Sequence, residues 1–443
     1  MQRRNLIKHS LGAALSGPAL IPQIWGDTLE QGQGPTQAPK KLPPSALKRA
    51  RVVVVGGGYA GTTACKYLSL FSNHQIQVTL IEPDAKFISC PLSNLVIGGS
   101  KQISDVTLSY ETLQKNHGTQ IIKDRVSSID SVKKTVSTAA GLVLPYDELI
   151  LSPGVELIYS SVLGLLEAKE QGKILQAWGS GGETQNLRLQ LESLKDGEIF
   201  AITVPELPYR CPPGPYERAS QVAYYFKHFK PKSKVLILDA NQDVTSKGAL
   251  FKKFWRENYP EHLEYRPEHK VLEVDAKTNT LKFEIQEDLR AGLLNVLPPM
   301  RAGAIAVQTG LANINKRWCE VNFLNFESTV APHIHVLGDS IQAGPYMPKS
   351  AHMANAHAKV AAAAVVAKLA ELELNSHPFL TNTCYSFVDP KQAIYIASVH
   401  QYDSAEKTFK ILPNAGGMSS DASEREGNFA FGWAKNIWAD CLT

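Results

Sequence analysis

The first clear pattern along the chain is a run of apolar residues that leads directly into a glycine-rich segment. Arg51–Val55 reads RVVVV, which is typical of a strand buried on both faces, and GGGYAG and the stretch TTACKYLSLF follow it. Further apolar runs at 75–81, Ile199–Val204 and 234–238 predict more strands of the same kind. Buried strands that alternate with helical segments predict an α/β chain built on parallel sheet.

The glycines after the first strand have the spacing G-x-G-x-x-G, at Gly56, Gly58 and Gly61. The first permits a tight turn, the second lets a pyrophosphate approach the backbone, and the third lets the helix pack against the strand. The phosphates would face the N-terminus of that helix. Glu82 follows the second strand, 21 positions after Gly61, where a carboxylate can accept hydrogen bonds from ribose hydroxyls. This order predicts a dinucleotide site for either NAD or FAD.

Two later segments favour FAD over NAD. Residues 147–154, DELILSPG, resemble the strand and turn that close the first segment of two-dinucleotide flavoproteins. Residues 333–340, HIHVLGDS, resemble their second FAD motif, in which Asp339 would hold the ribitol chain. A helix predicted at 350–369 would direct its N-terminus at the flavin pyrimidine ring. Each segment alone reads as a plain strand and turn, and together they indicate FAD.

The middle of the chain repeats the nucleotide-type pattern without a second phosphate loop. The strand at Ile199–Val204 runs into PELPYRCPPGPYERA rather than into a glycine-rich turn. Because proline has a fixed φ and no N–H, this loop cannot present the row of backbone donors that a pyrophosphate needs. The sequence therefore predicts that the pyridine-nucleotide site is lost and that the electron donor is not NAD(P)H.

Composition and charge narrow the class of protein. The 443 residues are 44% apolar and 20% charged, which is ordinary globular usage. The formal net charge is +4, and without the basic residues of 1–26 it falls to about +1, too little to suggest a nucleic-acid binder. No apolar run reaches the roughly 20 residues that a membrane-spanning helix needs.

The first 47 residues are predicted to be an export signal followed by a flexible segment, which is called the lead-in below. Residues 1–26 contain an arginine pair, a lysine and a short, weakly apolar stretch. They predict a twin-arginine export signal to the periplasm, and a basic amphipathic arm is the alternative. Residues 27–47 are rich in Gln, Pro and Gly and are predicted to be flexible. Export would bring the six cysteines into an oxidising compartment, where disulfides form.

Three cysteines and one acid carry candidate chemistry. Cys211 lies in the loop that replaces the nicotinamide site, and Cys384 follows 173 positions later. Sequence spacing leaves an inert structural disulfide as an alternative, but the position of Cys211 favours a redox pair facing the flavin. Glu217 is either a proton acceptor for this pair or a solvated carboxylate at a helix start. Cys90 is either the point where the flavin 8α-methyl group is covalently attached or a buried thiol.

The other cysteines carry no motif. Cys65 is predicted to be a small core residue, and Cys319 and Cys441 are structural or free thiols. The sequence contains no C-x-x-C-H motif, so no c-type haem is expected on this chain. No metal site is predicted.

Taken together, the motifs resemble those of a known family, the flavoprotein subunits of flavocytochrome c sulfide dehydrogenase. The segments that carry the resemblance include CPLSNLVIGG, RCPPGPYERASQVAYYFK, AHMANAHAKVAAAAVVA and LTNTCYS, and it extends along nearly all of the mature chain. The resemblance implies FAD bound through Cys90 and a redox disulfide between Cys211 and Cys384. It also implies Glu217 as the nearby acid and Trp433 close to the disulfide. Haem c would be carried by a separate cytochrome subunit.

The resemblance further implies a glutathione-reductase-type fold with two dinucleotide-binding domains and a C-terminal interface domain. The FAD domain would be discontinuous, over 48–160 and 298–372, and would enclose a Rossmann-like domain without an NAD site at 161–297. The interface domain would cover 373–443. The implied reaction oxidises hydrogen sulfide to sulfur or polysulfide and passes electrons to the cytochrome.

Two other functions remain open at the sequence level. A sulfide:quinone oxidoreductase would share the disulfide and FAD, but it would need an amphipathic membrane-binding tail, which the short aromatic segment 428–442 fits poorly. A non-catalytic flavoprotein that reactivates a sulfur-oxidising partner could use the same residues.

Overall fold

A computed structural model describes Leu47, residues 50–179 and residues 181–443. The predicted export signal at 1–26 and all of the predicted lead-in except Leu47 lie outside the described residues. The helices within the described part are α1 (Tyr59–Phe71), α2 (Ser93–Gly98), α3 (Glu111–His117), α4 (Leu165–Glu170), α5 (Gly182–Ser193), α6 (Gly214–Phe229), α7 (Gly248–Asn258), α8 (Ala304–Gln308), α9 (Ala351–Leu369) and α10 (Glu424–Leu442).

The strands fall into a long first series and a shorter second one. The first series is β1 (Arg51–Val55), β2 (Gln77–Ile81), β3 (Phe87–Ile88), β4 (Thr107–Leu108), β5 (Gln120–Ile122), β6 (Val126–Asp130), β7 (Thr135–Thr138), β8 (Val143–Pro145), β9 (Glu148–Leu151), β10 (Val155–Leu157), β11 (Ile199–Val204), β12 (Lys234–Asp239), β13 (Leu263–Arg266), β14 (Val271–Asp275), β15 (Thr280–Phe283), β16 (Leu289–Arg290) and β17 (Leu293–Asn295). The second is β18 (Met300–Ala302), β19 (Val321–Asn322), β20 (Glu327–Ser328), β21 (Ile334–Val336), β22 (Phe379–Phe387), β23 (Ala393–Asp403) and β24 (Thr408–Met418).

The largest sheet has seven strands in the order β19-β20-β21-β9-β1-β2-β5. Its central strands are parallel, since β1 pairs with β2 and β9, and β9 pairs with β21. The strand predicted at 75–81 begins only at Gln77. The reason is a turn before it, in which Asn73 and His74 have positive φ and the Gln75 amide donates to the Ser72 carbonyl.

A second parallel sheet, in the order β13-β12-β11-β17, is formed by residues between β9 and β21. An antiparallel sheet, β22-β23-β24, follows near the C-terminus. The α/β prediction is therefore confirmed, and the domain limits given above stay a prediction. Among the described residues, no helix has the length and hydropathy that a transmembrane span requires.

Helix α9 is packed closely along α1. It is rich in alanine, and Ala358, Ala361 and Ala362 are fully buried. Small side chains let two helix backbones approach each other, and the apolar area that they bury stabilises the pair. Ser350 caps α9, because its side-chain oxygen accepts a hydrogen bond of 3.1 Å from the Met353 amide. The cap fixes the point at which α9 begins.

An ion network joins the large sheet to the end of α9. The buried Glu148 carboxylate lies 2.8 Å from His333 Nδ1, 3.0 Å from His335 Nε2 and 3.0 Å from Lys368 Nζ. Lys368 also lies 2.9 Å from Glu327. The oxygens of the two carboxylates and a His335 nitrogen lie within 4.8 Å of one another, a spacing that a metal ion could use. The Lys368 ammonium already supplies positive charge to both carboxylates.

Replacing Glu148 with Gln should therefore destabilise the fold by roughly 3 kcal/mol at pH 7, because it removes a buried carboxylate whose charge is stabilised by His333, His335 and Lys368. Burial alone would raise the pKa of Glu148. The hydrogen bonds and charge supplied by His335, His333 and Lys368 instead lower it to about 2 from an ordinary 4.5. The stabilisation is thus present above pH 4.5 and is lost as the pH falls towards 2.

Urea unfolding at pH 7 and pH 3 measures both effects. The parent protein should lose more stability between these pH values than Glu148→Gln does. Glu156→Gln is the matched control, since its half-exposed ion pair with Arg301 is worth at most about 1 kcal/mol. Equal unfolding free energies for the two variants would contradict the prediction.

Candidate active site

The glycine loop between β1 and α1 has the geometry that its spacing predicted. Gly56 has a φ of +95°, and a Cβ there would lie 2.5 Å from the Ser152 carbonyl oxygen. A Cβ at Gly61 would lie 1.8 Å from the Gly56 carbonyl oxygen, so only glycine lets α1 start this close to the strand. Gly58 has open space where a Cβ would stand. The loop can therefore receive a phosphate group against its backbone.

Glu82, directly after β2, is fixed beside this loop. Its Oε2 accepts a hydrogen bond of 2.5 Å from the Gly57 amide, and its Oε1 accepts one of 2.8 Å from the Asp84 amide. Burial raises the pKa of Glu82, and these two hydrogen bonds partly offset the rise. The carboxylate is thereby oriented at the end of the second strand, where the sequence predicted a ribose contact.

A cleft begins at the glycine loop and is called the cysteine cleft below. Gly56 and Gly61 do not line this cleft. All other sequence-predicted site residues line the cleft: Gly58, Glu82, Cys90, Cys211, Glu217, Asp339 and Cys384. Trp433 and the first residues of α9 also line it. The structure thus brings together groups that are spread over more than 300 positions of the sequence.

Several buried polar atoms in the walls of the cysteine cleft lack a partner in the described part of the chain. They are Asp339 Oδ1, Arg210 Nε and Trp178 Nε1. Burial raises the pKa of Asp339, and the positive charges of Arg210 and Lys349 reduce this rise. A buried polar group without a partner is costly, so such atoms indicate a ligand. FAD fits this set, because its ribitol hydroxyls can donate to Asp339 and its ring oxygens and nitrogens can accept from Arg210 and Trp178.

Cys211 and Cys384 approach the cysteine cleft from different elements. Cys211 lies in the loop between β11 and α6 with a φ of +57°, and Cys384 lies in β22. Gly214 is needed here, because a Cβ on it would lie 3.0 Å from the Cys211 sulfur and 2.7 Å from the Trp178 ring. All six cysteines are thiols in the structure, so the pairing of Cys211 with Cys384 stays a prediction.

The thiols of the cleft lie in a setting that disfavours their charged forms. Burial raises the pKa of Cys211 well above its usual value, and the neighbouring Cys384 and Glu217 raise it further. Burial also raises the pKa of Cys90, where Arg210 acts in the opposite direction. A cation close to each sulfur would therefore be needed to make it a good nucleophile or leaving group.

Glu217 is buried, with 8% of its surface exposed, so the solvated alternative is wrong. It lies in the first turn of α6, as the sequence indicated. Its Oε1 accepts a hydrogen bond of 2.9 Å from the Phe387 amide, and its Oε2 accepts one of 3.0 Å from Asn94 Nδ2. Burial raises its pKa, and the Phe387 and Asn94 bonds reduce the rise. Its proposed role as a proton acceptor stays a prediction.

Sequence reasoning missed the cations around the cleft. Arg210 is adjacent to Cys211 in the motif PYRCPPG, and this position could have drawn attention to it. Arg218 is buried and donates to the side chains of Asn94 and Asn295, and burial lowers its pKa to about 9. Lys247 reaches the Cys384 strand from the start of α7, a contact that no motif signals.

Trp433, on α10, is held among other rings of the cysteine cleft. Its ring centroid lies 6.0 Å from that of His352 and 6.2 Å from that of Tyr385, the residue after Cys384. The His352 Nδ1 accepts a hydrogen bond of 2.9 Å from the Thr383 amide, and burial lowers the pKa of His352. The C-terminal sheet and helix therefore close the cleft on the cysteine side.

The second parallel sheet has an acidic residue of the kind that nucleotide-binding domains use, but other side chains of the protein already donate hydrogen bonds to it. Asp239 ends β12 and is fully buried. Its Oδ2 accepts hydrogen bonds from the hydroxyls of Tyr216, at 2.7 Å, and Tyr265, at 3.1 Å. Its Oδ1 accepts from Asn241. Both oxygens of the Asp239 carboxylate are thus bonded within the protein, and the predicted loss of the pyridine-nucleotide site stays a prediction.

Three family models match the chain. Residues 50–193 match the model described as pyridine nucleotide-disulphide oxidoreductase. Residues 184–298 match the model described as sulfide dehydrogenase (flavocytochrome c) flavoprotein chain, central. Residues 376–442 match the model described as flavocytochrome c sulphide dehydrogenase, flavin-binding. The matched segments include the glycine loop, the second sheet and the C-terminal sheet.

Individual relatives agree with these models. The sulfide dehydrogenase flavoprotein chain of Chlorobaculum thiosulfatiphilum is 52% identical over 46 residues, which are 10% of this chain and 94% of that sequence. The mitochondrial sulfide:quinone oxidoreductase of Mus musculus is 24% identical over 328 residues, 70% of this chain and 69% of the mouse protein.

Solved structures show the same fold. The X-ray structure of the sulfide:quinone oxidoreductase from Aquifex aeolicus superimposes with a TM-score of 0.73 at 17% identity, and the match covers 88% of this chain and 91% of that one. The predicted fold with two dinucleotide-binding domains is confirmed.

Proposed function

Since the chain belongs to the family of flavocytochrome c sulfide dehydrogenase flavoprotein chains, we propose that it oxidises hydrogen sulfide to sulfur or polysulfide and passes electrons to a c-type cytochrome subunit. The observation that carries the proposal is the convergence of Cys211, Cys384 and Glu217 on the cleft that also contains the dinucleotide loop. The family supports FAD as the cofactor.

The proposed chemistry starts at a disulfide between Cys211 and Cys384. Hydrosulfide attacks one sulfur, a new S–S bond forms as a persulfide, and the other cysteine leaves as a thiolate with the electron pair of the broken bond. Bound FAD supplies an acceptor for two electrons that can release them singly to a haem. A good proton acceptor has a pKa near the working pH. Burial raises the pKa of Glu217 and so brings it closer to neutral pH.

The environment of Asp239 supports a donor other than NAD(P)H. Its carboxylate oxygens are already bonded to Tyr216, Tyr265 and Asn241, and a nicotinamide dinucleotide would have to displace them.

The remaining parts of the proposal concern attachment and location. We propose that FAD is linked covalently through Cys90, that haem c resides on the partner subunit, and that the protein is exported to the periplasm by the twin-arginine route. Cys90 supports the first part, since it lines the cysteine cleft beside Arg210, whose charge lowers the cost of forming the thiolate that such a bond requires.

Sulfide:quinone oxidoreductase is the second candidate, favoured by the similarity to the mouse protein. A quinone enzyme of this kind needs an apolar surface that contacts a membrane. The apolar side of α10 is instead packed on the protein, with Ala430, Ala434 and Ile437 buried. A non-catalytic flavoprotein that reactivates a partner is a third candidate, with no structural observation in its favour.

The acceptor assay separates the candidates. Holoprotein purified with its cognate cytochrome subunit is mixed anaerobically with sulfide, and haem reduction is followed by absorbance. We expect steady turnover with the cytochrome and none with a quinone in detergent when the cytochrome is left out. Quinone reduction without cytochrome would support the second candidate. A complex that contains FAD and haem but does not turn over sulfide would overturn the enzymatic proposal.

A further inference from the structure

Lys247 is a buried cation that lies next to Cys384 and Ser386. Its Nζ donates a hydrogen bond of 2.9 Å to the Cys384 carbonyl oxygen and one of 2.8 Å to Ser386 Oγ. The same Nζ lies 3.9 Å from Cys384 Sγ. An ammonium has three donors, so two bind oxygen and the third has the sulfur within its reach.

The position of Lys247 is costly for the fold in two ways. Only 5% of the residue is exposed, and burying an ammonium carries a large desolvation penalty. Its φ is +56°, a left-handed conformation that residues with a side chain adopt reluctantly. Strain and buried charge combined at one residue are typical of functional sites.

The charged and titratable groups around Cys384 come from several elements. Lys247, at the start of α7, is the cation among them. Glu217 from α6 and the Cys211 thiol are the acidic groups. His352 from α9 accepts a hydrogen bond from the amide of Thr383, the residue before Cys384. Burial raises the pKa of Cys384, Lys247 lowers it by charge and by hydrogen bonding, and Glu217 raises it.

The two sulfurs of the proposed pair therefore differ in how well their surroundings stabilise a thiolate. Cys384 has an ammonium at 3.9 Å. The Cys211 sulfur makes no hydrogen bond within the described part of the chain, and its nearby cation, Arg210, is outweighed by burial and three acidic neighbours. In thiol–disulfide exchange, the sulfur with the better stabilised thiolate is the better leaving group.

We propose that Lys247 stabilises the Cys384 thiolate and thereby makes Cys384 the leaving sulfur when sulfide opens the disulfide. The inference rests on the proposed function and specifies its first step. The hydrosulfide sulfur bonds to Cys211 Sγ, the Cys211–Cys384 bond breaks, and its electron pair stays on Cys384. The products are a Cys211 persulfide, which keeps the proton of hydrosulfide, and a Cys384 thiolate beside the Lys247 ammonium.

The first experiment measures the acidity of each thiol in the holoprotein after anaerobic reduction with dithiothreitol and removal of the reductant. The rate of iodoacetamide alkylation is followed against pH, and mass spectrometry of peptides separates Cys211 from Cys384. In Lys247→Met, we expect Cys384 alkylation at pH 7 to slow by about tenfold or more, which corresponds to a pKa rise of one unit. The rate at Cys211 should change much less.

Matched variants separate charge from packing. Lys247→Arg keeps the cation and should retain most of the parent rate at Cys384. Ser386→Ala removes a hydrogen-bond partner of Lys247 but not the charge, and it should also retain most of that rate. If Lys247→Met does not bind FAD, Lys247→Gly replaces it, because glycine adopts a φ of +56° without strain. An unchanged Cys384 profile in the neutral variant, or an equal shift in Ser386→Ala, would overturn the proposal.

The second experiment locates the added sulfur. The oxidised parent protein is mixed with one equivalent of sulfide, trapped at once with iodoacetamide, and analysed by peptide mass. We expect the persulfide on the Cys211 peptide and simple alkylation on the Cys384 peptide. A persulfide on Cys384 would overturn the assignment of the leaving group. If the protein forms no persulfide at all, the proposed function fails instead, and the alkylation profiles still report on Lys247.

Discussion

Replacing either Cys211 or Cys384 by serine should abolish sulfide-dependent bleaching of the flavin while FAD stays bound. A serine hydroxyl cannot form the disulfide that hydrosulfide attacks, and it is a far poorer nucleophile and leaving group than a thiol. We expect the rate of bleaching in a stopped-flow spectrometer to fall by at least about a thousandfold, the order of loss seen when a nucleophile is removed.

FAD should stay bound in both variants, because the residues that would hold it lie in other parts of the cleft. The glycine loop, Glu82 and Asp339 form the other parts of the cysteine cleft, and neither cysteine supports them by a hydrogen bond from its sulfur. The FAD content of the purified variants should therefore equal that of the parent protein.

Cys319→Ala is the matched control for these serine variants. Cys319 is fully buried outside the cysteine cleft, and burial raises its pKa to about 12, so it is an inert thiol. The control should bleach at nearly the parent rate. If either serine variant bleached as fast as the control, the cysteine pair would not be the entry point for electrons.

The parts of the site that depend on local geometry could be predicted from the sequence. The turn at Gly56 and the close approach at Gly61 follow from the spacing of residues within one βα unit, and the structure has both. Likewise, the prolines after β11 lie within a few positions of one another, and the predicted loss of the second phosphate loop rests on them alone. In these cases the required conformation is determined by residues a few positions apart.

The electrostatics of the site could not be predicted, because they depend on contacts between distant segments. Lys247 and the Cys384 carbonyl are 137 positions apart, and Glu217 and the Phe387 amide are 170 apart. A carboxylate at the start of a helix is usually solvated, and only the packing of β22 and α2 against α6 buries Glu217. The network at Glu148 arises in the same way, from neighbouring strands that are far apart in the sequence.

Replacing Cys90 by serine should release the flavin from covalent attachment. Cys90 lies just after β3, and its carbonyl oxygen accepts hydrogen bonds from the Ser93 amide and hydroxyl, which hold the residue at the wall of the cysteine cleft. A thioether requires the thiolate, and a serine hydroxyl is too weakly acidic to take its place. Acid precipitation of the parent protein should leave the yellow colour in the pellet, whereas that of Cys90→Ser should leave it in the supernatant.

The native Cys90→Ser protein should still carry FAD after gel filtration, because the glycine loop, Glu82 and Asp339 are unchanged. Peptide mass spectrometry gives an independent readout, since the parent peptide that contains Cys90 should be heavier by one FAD. Cys211→Ser is the matched control, because it removes another thiol of the same cleft and should leave the colour in the pellet. Yellow supernatant from the parent protein would show that the flavin is held by these non-covalent contacts alone, and Cys90 would then be a buried thiol.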